Sequence, residues 1–222
     1  MTWRSRIGAA TIAHSGWSTG IYDFDLDGRK DIFAANGDVQ DNTEVYSSRQ
    51  SKQPNQLLRN LGDGTFEDIR VGAPAQHRGA AFGDLDDDGR VDVVVTRLNQ
   101  EPVFYKNAYG AGRHWLGVRL RGSRGNRDGI GAEVRITADG RTQYWPVSQA
   151  VGYASSSVPV VYAGLGEQTR ADIEVAWPGG ARQSLRGVAA DRVIEIRQQE
   201  PSPAAARGQA AVELRRALDP RM

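Results

Sequence analysis

Cysteine is absent from the 222-residue sequence. This absence excludes a disulfide framework, thiolate zinc sites and a cysteine nucleophile, but it does not determine the redox compartment of the protein. Long apolar runs are also missing, since no stretch approaches the roughly 20 apolar residues that a membrane span needs. The run from Ile7 to Ala13 is too short and too weakly apolar for a secretory signal. We therefore expect neither a membrane span nor a signal peptide in this sequence.

An excess of charge of one sign is missing as well. The 28 basic residues nearly balance the 27 acidic ones, so no long-range field favours nucleic acid or an anionic membrane surface as a partner. With 39% hydrophobic and 25% charged residues, the chain has enough apolar material for one or two globular domains. We expect stability to come from packing and from bound ions rather than from cross-links.

Short apolar runs separated by glycine clusters dominate the sequence. The runs are rich in Val, Ile, Tyr, Phe and Trp, and the 26 glycines recur between them, a pattern typical of strands joined by tight turns. Helical periodicity is nearly absent, so we expect an all-β protein. The predicted strands are residues 91–96, 115–120, 132–136, 158–162, 173–177 and 193–196, together with a hairpin of 56–59 and 66–69.

An acidic motif occurs twice. Residues 23–32 read Asp-Phe-Asp-Leu-Asp-Gly-Arg-Lys-Asp-Ile, and residues 84–93, which lie 61 positions later, read Asp-Leu-Asp-Asp-Asp-Gly-Arg-Val-Asp-Val. This spacing suits a four-stranded unit with a long loop, which favours a propeller blade over a solenoid coil. Beyond residues 110–113 a different β pattern begins. We predict a partial propeller of about two blades over 1–112, a small β domain over 113–198, and a flexible tail over 199–222 with a short helix at 209–218.

Each copy of the motif carries the ligand types that calcium prefers. Carboxylates fall at positions 1, 3, 5 and 9, glycine stands at position 6, and the residue at position 7 can turn its backbone carbonyl inward. Oxygen ligands without histidine or cysteine favour a hard cation, and a flexible multi-oxygen loop favours calcium over magnesium. We predict two Ca²⁺ sites. Their ligands are Asp23, Asp25, Asp27, Arg29 and Asp31 in the first loop and Asp84, Asp86, Asp88, Arg90 and Asp92 in the second, the arginines acting through their carbonyls.

Two other interpretations of the acidic loops compete with this one. An EF-hand needs a glutamate at position 12 and flanking helices, but that position holds Ala34 in the first loop and Val95 in the second, and the flanking residues are strand-like. Alternatively, Asp and Gly are common in turns that bind no ion. Two matched copies of the motif favour ion binding.

The acidic loops resemble those of FG-GAP, or VCBS, repeats. Residues 79–84, Gly-Ala-Ala-Phe-Gly-Asp, fit the apolar lead-in of such repeats closely, and residues 20–23 are a looser copy. Residues 31–37 and 53–66 resemble repeats of bacterial relatives of cartilage acidic protein. Farther along, the sequence is similar to the ASPIC/UnbV signature, in order, at residues 114–120, 126–132, 164–166 and 175–180.

The resemblance implies an all-β fold in which the C-terminal blades of an FG-GAP/VCBS β-propeller precede a small β-sandwich-like ASPIC/UnbV domain. It also implies an extracellular or periplasmic recognition or adhesion module without catalytic activity, whose partner is a protein or glycan. The alternative function is a carbohydrate-binding or accessory portion of a polysaccharide-active enzyme. Since two blades cannot close a ring, we expect bare sheet edges and apolar faces, and missing blades that come from upstream sequence or another chain.

Signals for catalysis are weak, and we expect no enzymatic activity. Residues 16–20, Gly-Trp-Ser-Thr-Gly, match the G-x-S-x-G pattern of α/β-hydrolases, but an acidic loop rather than a helix follows Ser18. Three histidines, His14, His77 and His114, are scattered singly and form no metal motif. A basic stretch predicts a solvated face, with contact to an acidic glycan as the alternative. Its residues are Arg113, Arg119, Arg121, Arg124 and Arg127.

Overall fold

The computed structural model describes residues 4–123 and 125–199. They form a short helix, α1 (Ile7–Thr11), a 3₁₀ turn (Thr43–Val45) and fourteen strands, which confirms the all-β prediction. None of the described helices is long and apolar enough to cross a membrane. The strands are β1 (Gly16–Tyr22), β2 (Asp31–Asn36), β3 (Gln53–Asn60), β4 (Phe66–Ala75), β5 (His77–Gly83), β6 (Asp92–Arg97), β7 (Gln100–Tyr105), β8 (His114–Arg121), β9 (Glu133–Ala138), β10 (Arg141–Pro146), β11 (Val160–Gly166), β12 (Arg170–Ala176), β13 (Arg182–Ala189) and β14 (Arg192–Arg197).

The first sheet is a four-stranded antiparallel blade. Its order is β1-β2-β3-β4, so each strand pairs with its neighbour in the chain. The predicted hairpin is confirmed, because Asn60 pairs with Phe66 where β3 turns into β4. The first acidic loop, residues 23–30, connects β1 to β2.

The second sheet repeats the first with one strand fewer. Its order is β5-β6-β7, and the chain passes from β4 into β5 across Gln76 alone. The second acidic loop, residues 84–91, connects β5 to β6. The repeat in the sequence therefore places the two acidic loops at equivalent points of two blades.

The two blades pack face to face through aromatic side chains. Phe33 of β2 meets Phe82 of β5 edge-on, with ring centroids 5.8 Å apart. Gly20 of β1 permits this contact, because a Cβ there would lie 2.4 Å from the Phe82 ring. Burying an aromatic side chain of this kind stabilises the fold by about 1.5–3 kcal/mol. The same core contains Phe24, Leu26, Leu57, Val91, Val93 and Val95.

The second half of the chain is a small β-sandwich. A four-stranded sheet, β10-β9-β12-β13, and a three-stranded sheet, β11-β8-β14, enclose a core of their own to which β8 contributes Leu116, Val118 and Leu120. β14 pairs with β8 in parallel. Each of the predicted strand segments overlaps an observed strand. The predicted tail, with its helix, lies outside the described residues apart from Gln199.

A long connection from the sandwich, residues 147–159, lies against the first strand of each blade. The Phe82 amide of β5 donates a hydrogen bond to the Ser157 hydroxyl at 3.1 Å, and the Tyr153 amide donates to the Ser18 hydroxyl of β1 at 2.9 Å. The expectation that two blades leave their edges bare is therefore wrong for β5, where the Phe82 and Ala80 amides are bonded to serine hydroxyls. We call residues 147–159 the covering segment.

Candidate metal centre

Each acidic loop gathers three carboxylates around one point. In the first loop, one oxygen from each of Asp23, Asp25 and Asp27 lies within 4.8 Å of the others. Both loops join antiparallel strands rather than helices, which excludes the EF-hand interpretation. The second loop repeats the group with Asp84, Asp86 and Asp88.

Hydrogen bonds inside the loops hold the first carboxylate in place. Asp23 accepts the amide of Asp27 at 3.1 Å and that of Gly28 at 2.8 Å, and the equivalent bonds at Asp84 have the same distances. Gly28 and Gly89 both have a φ of 82°, a left-handed conformation that glycine adopts without the steric penalty of a side chain. The motif therefore specifies one loop backbone in two places.

The carboxylates at position nine brace the loops against the blades. Asp31 accepts the Phe24 amide at 3.0 Å and the Asn60 amide at 2.7 Å. Asp92 accepts the equivalent amides, with Asn107 in the place of Asn60. Both oxygens of each carboxylate are thus engaged by backbone N–H groups, and neither residue belongs to the groups of three. Their role as ion ligands stays a prediction, to which the structure adds this bracing role.

Asn60 and Asn107 are the residues of the site that sequence reasoning missed. Each follows a basic residue at the end of a strand, Arg59 in β3 and Lys106 just after β7. The shared basic-Asn pair is the signal that could have found them. The pairs lie 47 rather than 61 positions apart, because the first blade contains a long connection at residues 37–52 that the second blade lacks.

Burial and mutual repulsion disfavour negative charge in the first loop. Burial, followed by the charge of Asp27, raises the pKa of Asp23 to about 8. Burial also raises the pKa of Asp31 to about 6. In the second loop, a hydrogen bond from Lys106 lowers the pKa of Asp86. A bound cation would therefore stabilise the ionised carboxylates more in the first loop than in the second.

The arginines at position seven pair with the carboxylates at position five. The Arg29 guanidinium contacts Asp27, and the Arg90 guanidinium contacts Asp88 in the same way. These ion pairs neutralise one carboxylate of each group. The predicted use of the Arg29 and Arg90 carbonyls as ion ligands stays a prediction.

Asp25 provides the observation that favours an ion in the first loop. Asp25 is 6% exposed, and its Oδ2 lies 3.4 Å from Arg113 and 3.9 Å from Arg59. Its Oδ1 is buried without a hydrogen-bond partner among the described residues. A buried carboxylate oxygen without a partner is destabilising, and a cation bound by oxygen ligands would satisfy it. The residues present therefore fit a hard divalent cation such as calcium.

The β-sandwich contacts both loops, through different chemistry. At the first loop, the Gly164 amide of β11 donates to Oδ2 of Asp23 at 3.0 Å. At the second loop, the Trp115 ring of β8 covers Gly89, where a Cβ would lie 1.9 Å from the ring. The sandwich thus makes a polar contact with one acidic loop and an apolar contact with the other.

Ser18, the serine of the G-x-S-x-G match, belongs to the core. It is fully buried, and its hydroxyl accepts the amides of Ala80 and Tyr153 at 2.9 Å each. The strand that carries it leads into the first acidic loop. Ser18 therefore holds together β1, β5 and the covering segment, and has no access to a substrate.

The three histidines lie apart, each with a partner of its own. Nδ1 of the buried His77 donates to two backbone carbonyls at 2.9 and 3.1 Å. His114 lies 2.7 Å from a carboxylate oxygen of Asp191, and His14 contacts Arg70 at 2.5 Å. No group of metal ligands in residues 4–123 and 125–199 includes a histidine.

The predicted basic stretch is partly engaged in ion pairs. Arg121 pairs with Asp128 at 3.1 Å and with Glu195 at 2.9 Å. Arg113 belongs to the surroundings of the first acidic loop, as described above, and Arg124 lies outside the described residues. The solvated-face interpretation therefore fits only part of this stretch.

Comparison with known families covers both halves of the chain. The family described as FG-GAP-like repeat matches residues 23–95, which contain both acidic loops. The family described as ASPIC and UnbV matches residues 122–203, which contain most of the β-sandwich. The first half of the chain thus matches an FG-GAP-like repeat and the second half an ASPIC and UnbV domain. After this match we call the sandwich the ASPIC/UnbV domain.

Curated relatives share both parts. Cartilage acidic protein 1 of Mus musculus is 26% identical over 180 residues, which are 74% of this chain and 28% of that protein. Cartilage acidic protein 1 of Homo sapiens is 28% identical over 185 residues, 78% of this chain and 27% of that protein. The chain therefore spans about a quarter of the length of the curated relatives it matches.

Proposed function

We propose that the chain is a calcium-binding, non-catalytic recognition or adhesion module that works outside the cytoplasm. Two calcium ions would stabilise the FG-GAP-like blades, one in each acidic loop. The observation that carries the proposal is Oδ1 of Asp25, which is buried within a group of three carboxylates and has no hydrogen-bond partner among the described residues. Abundant extracellular calcium would keep even weak sites filled.

Electrostatics supports a structural role for the ions. Two carboxylates about 4 Å apart repel by about 1 kcal/mol even at the dielectric constant of water, and by more in a partly buried turn. A bound divalent cation converts this repulsion into attraction. Because the ion binds the folded loop and not the unfolded chain, its binding free energy adds to the free energy of unfolding.

The non-catalytic part of the proposal is supported by the residues that a hydrolase would use. Ser18 is buried and bound to backbone amides, and His77 is buried among backbone carbonyls. The alternative is an accessory or carbohydrate-binding portion of a polysaccharide-active enzyme. Product release from a polysaccharide incubated with the chain would favour that alternative, whereas glycan binding without turnover would favour recognition.

In the described part of the chain, a partly exposed sheet face on the second blade supports a role in association. By the 61-residue repeat, Ala81 and Val94 correspond to Gly20 and Phe33, which pack against the second blade. Phe104, which pairs with Val94 on this face, is 66% exposed. A further blade, from upstream sequence or from another chain, would fit this face, and a protein or glycan ligand would bind the assembled module.

Thermal unfolding in calcium and in chelator tests the ion assignment. At free calcium about 100 times the dissociation constant, each occupied site should add about 2.7 kcal/mol to the free energy of unfolding. Asp25→Ala and Asp86→Ala should each remove part of the calcium-dependent rise in Tm. Asp41→Ala, which changes an exposed aspartate outside both loops, is the matched control, and magnesium at equal concentration controls for ionic strength. A Tm that calcium leaves unchanged would contradict the proposal.

A further inference from the structure

The first acidic loop is attached to the ASPIC/UnbV domain through one of its own carboxylates. Oδ2 of Asp23 accepts the Gly28 amide of the loop at 2.8 Å and the Gly164 amide of β11 at 3.0 Å. Two residues farther along β11, the Gly166 amide donates to the Leu26 carbonyl at 3.0 Å. Two hydrogen bonds donated by backbone amides of β11, one to a side chain and one to a backbone carbonyl, therefore join this strand directly to the loop.

The contact is too close for any side chain at Gly164. A Cβ there would lie 2.3 Å from the loop backbone and 2.4 Å from Oδ2 of Asp23. Nε2 of Gln143 donates to the Gly164 carbonyl at 2.7 Å, which fixes the peptide from the other side. The segment between the domains adds another polar contact, because Arg113 donates to the Asp25 carbonyl at 2.6 Å.

The second acidic loop is attached to the same domain without such bonds. Within the described residues, the hydrogen bonds to the carboxylate of Asp84 come from its own loop, including those of Asp88 and Gly89. The domain touches this loop through the apolar ring of Trp115. Asp86 is exposed, whereas its counterpart Asp25 is buried.

We propose that the first loop is the joint between the two domains, so that an ion bound there and the docked ASPIC/UnbV domain stabilise each other. The proposal rests on the calcium binding proposed above. Asp23 is at once a member of the carboxylate group and the acceptor of the Gly164 amide. Fixing this side chain from one direction reduces the ordering that the other interaction must supply. Thermodynamic linkage makes the effect reciprocal, and the second loop should not share it.

Hydrogen exchange on the full chain tests the joint without changing Asp23, Gly164 or Gly166. The amides of Gly164 and Gly166 are followed in calcium and in chelator, in the natural chain and in the Asp25→Ala and Asp86→Ala variants. Calcium should slow exchange at both amides about fivefold or more in the natural chain and in Asp86→Ala. The slowing should be lost in Asp25→Ala.

Calorimetric titration with calcium tests the reverse direction. Asp86→Ala silences the second loop, so the remaining binding heat reports the first. Adding Gly164→Ala to this background should weaken calcium binding about fivefold or more. Gly16→Ala is the matched control, because its φ is ordinary and the nearest atom to an added Cβ is 3.6 Å away. If Gly164→Ala fails to fold, the exchange experiment decides alone.

The outcomes distinguish a failure of the proposed joint from a failure of the proposed function. Calcium binding at the first loop without slower exchange at Gly164 would overturn the joint and leave the calcium-binding function standing. The joint would also be overturned if Asp86→Ala lost the calcium-dependent slowing of exchange to the same extent as Asp25→Ala. Absence of calcium binding at both loops would remove the proposed function, and the joint with it.

Discussion

The two acidic loops have the same backbone and different surroundings. Their five internal and bracing amide bonds agree to within 0.1 Å. The difference lies at positions two and four, which hold the buried Phe24 and Leu26 in the first loop and Leu85 and Asp87 in the second. Leu26 and Asp87 even share a positive φ, 59° and 58°. The motif thus sets the geometry of a loop, and the residues between the carboxylates set its environment.

The largest difference in stability between variants of the two loops should come from substituting the residue at position two. Phe24 is 3% exposed and Leu85 is 59% exposed. Phe24→Ala should lower the free energy of unfolding by about 3–5 kcal/mol, because it opens a cavity between the blades, and Leu85→Ala by about 0.5 kcal/mol or less. Chemical denaturation of both variants in calcium measures the difference. Equal losses would show that the two loops are buried alike in solution.

Substitution of the glycine at position six should destabilise the protein more in the second loop than in the first, which is the opposite of the order expected at position two. Gly28 and Gly89 have the same φ of 82°, so an alanine at either position costs about 1–2 kcal/mol in backbone strain. A Cβ at Gly89 would lie 1.9 Å from the Trp115 ring, whereas the nearest atom at Gly28 is 3.5 Å away. Gly89→Ala should therefore lose a further 1–3 kcal/mol or so by overpacking. Denaturation midpoints in chelator test the difference without interference from ion binding.

The first loop should make the largest contribution to the pH dependence of stability in chelator. The pKa of Asp23 is raised from 3.8 to about 8, and that of Asp31 to about 6. A group with a raised pKa binds more protons in the folded state, so its stabilisation is complete below about pH 4 and is lost as pH rises through its folded pKa. Each group contributes a slope of at most about 1.4 kcal/mol per pH unit. Tm should therefore fall between about pH 4 and 8, and Asp23→Asn should flatten the fall.

The smallest difference in stability between the two loops should come from substituting Arg113 and Lys106, the basic partners of the carboxylates at position three. Arg113 donates to the Asp25 carbonyl at 2.6 Å, so Arg113→Ala should lower the free energy of unfolding by about 1 kcal/mol. Lys106, which pairs with Asp86, is 67% exposed, and exposed pairs contribute less than about 1 kcal/mol. Lys106→Ala should leave stability nearly unchanged and raise the calcium affinity of the second loop, because it removes a competing cation. Denaturation and calcium titration of both variants provide the comparison.

The strands and the acidic loops could be predicted because their signals are local. Alternating apolar residues and glycine clusters gave the strands, and the spacing of Asp23, Asp25 and Asp27 gave the group of three carboxylates. These features depend on a few adjacent residues.

The rest of the site depends on contacts between distant residues. The Gly164 amide meets Asp23 across 141 positions, and nothing in the short segment around Gly164 indicates which loop it approaches. The Ser157 hydroxyl reaches the Phe82 amide across 75 positions, so the covering of β5 was not foreseen. Asn60 and Asn107 were missed because an insertion in one blade changed their spacing.

The covering segment also constrains how the chain is made. It begins 64 positions after the end of β5, so at about 5–20 residues per second the ribosome needs about 3–13 s to extend the chain from β5 to this segment. Throughout that interval the Phe82 amide lacks its Ser157 partner, and the edge of β5 is open to pairing with another nascent chain. Translation that stalls before residue 147 would therefore leave the β5 edge exposed as a template for aggregation.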